Sequence, residues 1–179
     1  RLAVALERPD GDEVRAVLAK HNPAASAMEF VEANLDADAG WTEAARGCEF
    51  VQHIASPIVT VMPRDENDLI RPARDGALRV LAAAKAAGVK RVVMTSSLAA
   101  IAYGMGDQRP KVVDESHWSN PDGADNTAYT KSKTIAERAA WEYVSGPGKG
   151  LELATINPGA VLGPALSADT SASLEIAGQ

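Results

Sequence analysis

Short apolar runs alternate with longer amphipathic segments along the chain, and this alternation constrains the fold more than any other feature. The apolar runs predict β-strands at 2–6, 28–35, 49–56 and 90–97, and a fifth strand that runs into a turn at 151–164. Helical patterns lie between them at 11–21, 40–48, 68–88 and 126–144. Strands that alternate with helices form parallel sheets, and nearly continuous apolar strands are typical of sheets covered on both faces. The sequence therefore predicts a doubly wound parallel α/β sheet with helices on both faces.

The ends of the two longest helices carry recognisable signals. Gly88 follows the helix at 68–88, in the position after the C-cap where glycine is favoured. Pro72 and Gly76 lie inside the same segment, so we expect its regular part to begin near Asp75. Asn126 or Thr127 is the predicted N-cap of the helix at 126–144.

Composition and charge exclude several classes of protein. A net charge of −6, with no basic block, argues against a nucleic-acid partner. The longest apolar stretch, at 76–89, contains Arg79 and Lys85, so we expect no membrane span. The single cysteine, Cys48, excludes an intrachain disulfide and fits a reducing compartment, so we predict a cytoplasmic protein. Three scattered histidines and this cysteine have no metal-ligand spacing, and no metal site is predicted. The oligomeric state is left open.

A tyrosine and a lysine stand four positions apart in "TAYTKSK", residues 127–133. Positions i and i+4 share one face of a helix, so Tyr129 and Lys133 can approach each other while Lys131 points away. An ammonium group close to a phenol favours the phenolate and lowers the phenol pKa from about 10. Such a tyrosine can exchange a proton with a carbonyl or alcohol oxygen. Two residues that share a helix face without any chemistry are the alternative, because this spacing is common.

Hydroxyl side chains end the predicted strand at 90–97. Period-2 alternation places Thr95 and Ser97 on one face of the sheet and Ser96 on the other. Ligands of open parallel sheets bind beyond the carboxyl ends of the strands, where a serine hydroxyl could hold a substrate oxygen. We favour Ser97, the last residue of the strand, with Ser96 as the alternative.

Five motifs carry a resemblance to a known family: "HIASP", "VVMTSSLAAIAYG", "DESHWS", "YTKSK" and "INPGAVLGP". In this order they resemble the extended short-chain dehydrogenase/reductase superfamily, that is, the NAD-dependent epimerase/dehydratase family. The likeness runs from about Glu13 to Gln179 and is specific to the dihydroflavonol reductase-like and yeast-type carbonyl (methylglyoxal) reductases. It implies a Rossmann-like fold in which Tyr129 protonates the carbonyl oxygen. Lys133 would lower the pKa of that tyrosine and bind the nicotinamide ribose, and Ser97 would hydrogen-bond the substrate oxygen.

The resemblance also implies which residues bind NAD(P). Asn34 stands where the family has Asp, which keeps an acceptor beside the adenine but loses the charge. Arg8 would face a 2′-phosphate and favour NADP, with NAD possible, although an exposed arginine without a ligand is an equal alternative. Besides Tyr129 and Lys133, the implied contacts are Arg8, Asn34, Leu35, Ala55, Ser56, Pro57, Thr95, Pro158, Gly159, Ala160 and Val161.

Two parts of the family pattern are missing from the chain. The family begins with a strand and a G-x-x-G-x-x-G loop, whereas "RLAVAL" resembles its second strand. The missing strand would lie centrally in the order 3-2-1-4-5-6, so its two neighbours would have unpaired edges. We expect a fragment of a longer protein whose reading frame carries this strand and loop immediately upstream of Arg1. We assign 1–165 to an incomplete NAD(P)-binding domain and 166–179 to the start of a truncated substrate-binding region.

The predicted function is the NAD(P)H-dependent reduction of an aldehyde or ketone to an alcohol, with a small or aromatic carbonyl compound as the substrate. A nucleotide-sugar epimerase or dehydratase of the same superfamily is the first alternative, because it shares the serine, tyrosine and lysine. An inactive, cofactor-binding fragment is the second alternative, because the glycine-rich loop is missing.

Overall fold

A computed structural model describes residues 3–6, 11–57 and 63–163. Its strands are β1 (Ala3–Leu6), β2 (Glu29–Glu32), β3 (Phe50–His53), β4 (Arg91–Thr95) and β5 (Glu152–Ile156). Its α-helices are α1 (Gly11–Ala19), α2 (Trp41–Ala45), α3 (Asn67–Ala86) and α4 (Ala128–Ser145). Short 3₁₀ helices cover Pro23–Ala27, Leu98–Ala100 and Gly106–Gln108. The predicted alternation of strands and helices is confirmed. The domain boundary proposed at 165 lies outside the described residues and stays a prediction.

All strand pairs in the described residues are parallel, as the alternation predicts. β1 pairs with β2, and β4 lies between β3 and β5, with Val92 between Val51 and Leu153. No ladder joins β1 to β3 within the described ranges, so the strands form a two-stranded and a three-stranded sheet. Among the described residues, β1 and β3 therefore each have one edge without a partner strand, as expected.

One hydrophobic cluster holds the three-stranded sheet against α3 and α4. Alanines of both helices belong to this cluster, including Ala77, Ala84 and Ala140, each 0% exposed. Small side chains let two helix backbones approach closely, and Val92 of β4 closes the cluster from the sheet. The site-bearing helix α4 is thereby fixed on the sheet.

A second cluster connects the two sheets. Trp41 of α2 and Val80 of α3 are its centre, and Ala5 of β1 and Val51 of β3 both pack against it. The indole nitrogen of Trp41 donates to the carbonyl oxygen of Asn34, at 3.0 Å. In the part of the chain that the structure describes, side-chain packing on α2 and α3 therefore joins the two sheets, and no backbone pairing does so.

Helix α3 differs from the prediction at its beginning. The regular helix starts at Asn67 and contains Pro72, so the expected start near Asp75 is wrong. Proline removes only the hydrogen bond to the carbonyl of Asp68, and the buried side chains of Leu69 and Ile70 hold this first part of the helix in place. Gly76 is explained by packing, because a Cβ there would lie 2.6 Å from Leu35 Cδ2.

The other predicted helix signals are confirmed. Gly88 follows the C-cap of α3 with φ +73°, which is the left-handed conformation that glycine adopts without strain. Thr127, not Asn126, is the N-cap of α4, and it forms a reciprocal capping box with Thr130. Within the described residues, no helix is both long and apolar enough to span a membrane.

Candidate functional site

Tyr129 and Lys133 lie together near the beginning of α4, on the face that packs against the sheet. The Nζ atom of Lys133 is 5.6 Å from the centre of the Tyr129 ring. Lys133 is only 6% exposed, and burial lowers its pKa from the usual 10.5 to about 8. No carboxylate among the described residues forms an ion pair with it. Lys131 instead pairs with Glu66 at the start of α3, at 2.7 Å, so the expected divergence of the two lysines is confirmed.

His53, the last residue of β3, supplies a second buried nitrogen base close to this pair. It is 6% exposed, and burial lowers its pKa from 6.5 to about 4, with a smaller contribution from the positive charge of Lys133. The imidazole is therefore neutral at pH 7. The positive charge at this site therefore comes from Lys133 and not from His53.

The two serines after β4 use their hydroxyl groups differently. The hydroxyl of Ser96 donates to the buried carboxylate of Glu137. The oxygen of Ser97 accepts from the backbone N–H of Ala99, at 3.1 Å, where it caps a short 3₁₀ helix. Since an accepting hydroxyl keeps its own proton to donate, Ser97 is better suited than Ser96 to bind a substrate oxygen. The expectation that Ser97 is the last residue of the strand is wrong, because β4 ends at Thr95 and Ser97 caps the 3₁₀ helix that follows. Its role at a substrate oxygen stays a prediction.

The segments after β3 and β5 present backbone and small side chains at the carboxyl ends of their strands. Ala55 is exposed, and Ser56 and Pro57 are half-buried. Pro158 is half-buried and accepts from the backbone N–H of Leu98, at 2.9 Å, which extends the β4–β5 pairing past the strand ends. Three further predicted contacts, Gly159, Ala160 and Val161, are exposed, and Thr95 is half-buried.

Large apolar side chains are exposed at the same strand ends. Ile54 after β3 is 65% exposed, Ile156 in β5 is 55% exposed, and Val161 is 64% exposed. Isolated exposed apolar residues are normal, but three of them accompany the predicted cofactor contacts.

The structure describes only some of the residues that were predicted to bind the adenine end of the cofactor. Asn34 follows β2 and accepts from the backbone N–H of Asp36, at 2.7 Å, which makes a local turn. Leu35 packs under Gly76, and its carbonyl oxygen accepts from Arg79, at 2.6 Å. Arg8 lies outside the described residues, so its proposed role at a 2′-phosphate stays a prediction. Among the described residues, no group of His, Cys, Asp and Glu side chains could hold a metal ion.

Two residues of this region were missed at the level of sequence: Glu137 and Asn157. Glu137 is 4% exposed and accepts from Ser96 and from Asn157 Nδ2, at 2.8 Å. A sequence signal existed for Glu137, because it lies four and eight positions after Lys133 and Tyr129, on the same helix face. Asn157 had a weaker signal, as the first residue of the "NPG" turn after β5.

The comparisons with known proteins agree with one another. Residues 1–175 match the model of the NAD dependent epimerase/dehydratase family. The sequence is 39% identical over 153 residues to cinnamoyl-CoA reductase CAD2 of Medicago truncatula, covering 83% of this chain and 46% of that protein. Vestitone reductase from alfalfa, Medicago sativa, superposes with a TM-score of 0.75 at 27% identity and covers 97% of this chain and 52% of that one.

A third similarity is to Gre2 of Candida albicans, which was solved in complex with NADPH. It has a TM-score of 0.70 at 25% identity, over 90% of this chain and 51% of that one. These superpositions confirm the Rossmann-like parallel α/β fold, and the family match confirms the resemblance carried by the five motifs. The chain spans about half the length of the relatives that it matches.

Proposed function

This chain belongs to the NAD dependent epimerase/dehydratase family, in the extended short-chain dehydrogenase/reductase group, and on that premise we propose that the whole protein is an NADPH-dependent carbonyl reductase. It reduces an aldehyde or ketone to the alcohol. Three findings support the proposal: the reductases among its relatives, the NADPH complex of Gre2, and the arrangement of Tyr129 and Lys133. NADP is preferred over NAD, in line with that complex.

The buried cation at Lys133 carries the proposal. A buried ammonium group is costly unless it is paired, and no carboxylate of the described residues pairs with it. Ribose hydroxyl groups accept hydrogen bonds from an ammonium group, so the site fits the nicotinamide ribose of the cofactor. With a pKa of about 8, Lys133 is charged in roughly nine molecules of ten at pH 7. It therefore retains the charge that activates the neighbouring phenol.

The proposed chemistry divides between the cofactor and the chain. When bound, NADPH supplies the hydride that is added to the carbonyl carbon. Tyr129 gives its phenolic proton to the carbonyl oxygen, and the positive charge of Lys133 stabilises the phenolate that remains. The hydroxyl of Ser97 donates a hydrogen bond to the same oxygen and fixes its position. The substrate gains one hydride and one proton, which gives the alcohol.

The test uses the complete reading frame that contains this chain. Oxidation of NADPH is followed with cinnamaldehyde and methylglyoxal, for the wild type and for Tyr129→Phe. Loss of the phenolic proton lowers kcat by about a hundredfold or more. Tyr143→Phe is the matched control, because Tyr143 lies on the same helix and packs against the core. Undiminished reduction by Tyr129→Phe would disprove the tyrosine mechanism.

The same assay separates the two alternative functions. Turnover of a uridine or thymidine diphosphate sugar, without aldehyde-dependent oxidation of NADPH, would assign the protein to the epimerases and dehydratases. Binding of NADPH without any turnover would identify a cofactor-binding protein that is not an enzyme. Either result would overturn the proposed reductase activity.

A further inference from the structure

Glu137 is a buried carboxylate that the proposed reaction does not use. It lies on α4, one helical turn after Lys133 and two turns after Tyr129, on the same face of the helix. Its exposed fraction is 4%. Buried carboxylates are rare unless hydrogen bonds or charges compensate them, so the contacts of this side chain indicate its role.

Among the described residues, three neutral groups donate to Glu137, and they come from three separate parts of the chain. The Ser96 hydroxyl, after β4, and Asn157 Nδ2, after β5, both donate to Oε2, the latter at 2.8 Å. Trp141 Nε1, one turn further along α4, donates to Oε1 at 3.3 Å. The two oxygens of the carboxyl group have enough lone pairs to accept from all three donors at once.

The amide of Asn157 extends this contact to the predicted catalytic serine. Its Nδ2 atom also donates to the backbone carbonyl of Ser97, at 3.1 Å. One amide group therefore joins the carboxylate of Glu137 to the backbone of Ser97. The cofactor-side turn that begins at Pro158 follows directly after Asn157 in the chain.

We propose that Glu137 is a positioning residue that sets Ser97 and the turn after β5 relative to Tyr129 and Lys133. This inference rests on the proposed reductase function. Tyr129 and Lys133 lie on the helix, whereas Ser97 and the turn lie on strand ends. The carboxylate of Glu137, on α4, accepts from the side chains of residues that directly follow β4 and β5. Since displacement of a reacting group by about 1 Å can cost about a hundredfold in rate, a loss of this contact should reduce kcat.

Glu137→Gln is the first test, because glutamine has the same shape but one of its acceptors becomes a donor. Its amide oxygen can replace Oε2, and its NH2 group then faces the indole N–H of Trp141, so two donors oppose each other. We expect kcat for cinnamaldehyde or methylglyoxal to fall about tenfold or more, while KM for the carbonyl compound changes less than threefold. Glu142→Gln, an exposed carboxylate on the same helix, is the matched control and retains wild-type kcat.

A second substitution distinguishes positioning from simple loss of stability. Trp141→Phe in the Glu137→Gln background removes the opposing N–H, and Trp141 is 36% exposed, so the new NH2 group can reach water. The double variant should regain most of the lost kcat. The thermal midpoint is measured for all variants, and we expect Glu137→Gln to remain folded at the assay temperature.

The measured kcat values and thermal midpoints of these variants test the positioning role of Glu137. An unchanged kcat in Glu137→Gln, or a double variant no more active than the single one, would overturn the positioning role. A fall in kcat that is accompanied by unfolding at the assay temperature would also overturn it. If the wild type reduces neither compound, the reductase proposal fails on its own. The positioning role is then tested by NADPH titration, where Glu137→Gln should weaken binding at least threefold relative to Glu142→Gln, and equal affinities would overturn it.

Discussion

The buried histidine at the end of β3 gives a quantitative prediction for stability at acidic pH. Burial holds the pKa of His53 near 4, against 6.5 for an exposed histidine, and the positive charge of Lys133 adds to this effect. Below pH 6.5 the unfolded chain binds a proton at His53 that the folded protein does not bind. Stability from this residue is therefore complete above pH 6.5 and is lost as the pH falls towards 4. The loss amounts to about 2 kcal/mol between pH 7 and 5, and to about 3 kcal/mol at pH 4.

Urea denaturation at several pH values measures this effect, with tryptophan fluorescence as the signal and no added cofactor. The free energy of unfolding is compared between the wild type and His53→Gln, whose side chain does not titrate. The free energy of unfolding of the wild type, minus that of His53→Gln, should fall by about 2 kcal/mol from pH 7 to 5. Subtracting the two values cancels the contributions of all other titrating groups. His21→Gln, at an exposed position, is the matched control. Parallel pH curves for the wild type and His53→Gln would refute the reasoning.

Two other predictions follow from the site and from the loop before α4. Because burial lowers the pKa of Lys133 to about 8, the value of kcat/KM for NADPH should fall as the pH rises through about 8. A profile that stays flat to pH 10 would contradict a role for the charge of Lys133. Gly104→Ala should lower the free energy of unfolding about 2 kcal/mol more than Gly106→Ala. Both glycines have positive φ, but only at Gly104 would a Cβ meet backbone, 1.9 Å from the carbonyl oxygen of Asn120, so equal losses in urea would disprove the clash.

The fold was largely predictable because the hydrophobic periodicity of each short segment indicates whether that segment forms a strand or a helix. Each strand-length apolar run became a strand, shortened at its ends, and each amphipathic segment became a helix. The error at the start of α3 has a physical cause. Propensity marks Pro72 and Gly76 as helix breakers, but the burial of Leu69 and Ile70 compensates for one missing hydrogen bond. Gly76 is required by its contact with Leu35, a residue 41 positions earlier in the chain.

The sequence predicted only part of the candidate site. It predicted contacts between residues that are close in the chain, and it missed contacts that depend on tertiary packing. Tyr129 and Lys133 lie four positions apart on one helix, so their proximity follows from helix geometry alone. The preference for Ser97 over Ser96 depended on its place at the end of the predicted strand. The contact of Ser96 with Glu137 depends on the packing of α4 against the sheet, which no local pattern shows. The buried state of Lys133, and hence its lowered pKa, depends on the same packing.

The sequence by itself determined the class of fold, the helix caps and the shared face of Tyr129 and Lys133, because periodicity, capping and i, i+4 spacing act within a few residues. It also carried the family motifs. Only the tertiary structure decided that Glu137 of α4 binds the residues that follow β4 and β5, and that His53 is buried beside Lys133. These contacts connect residues 20 to 80 positions apart. Their existence depends on how helices and strands pack, and no local pattern encodes that packing.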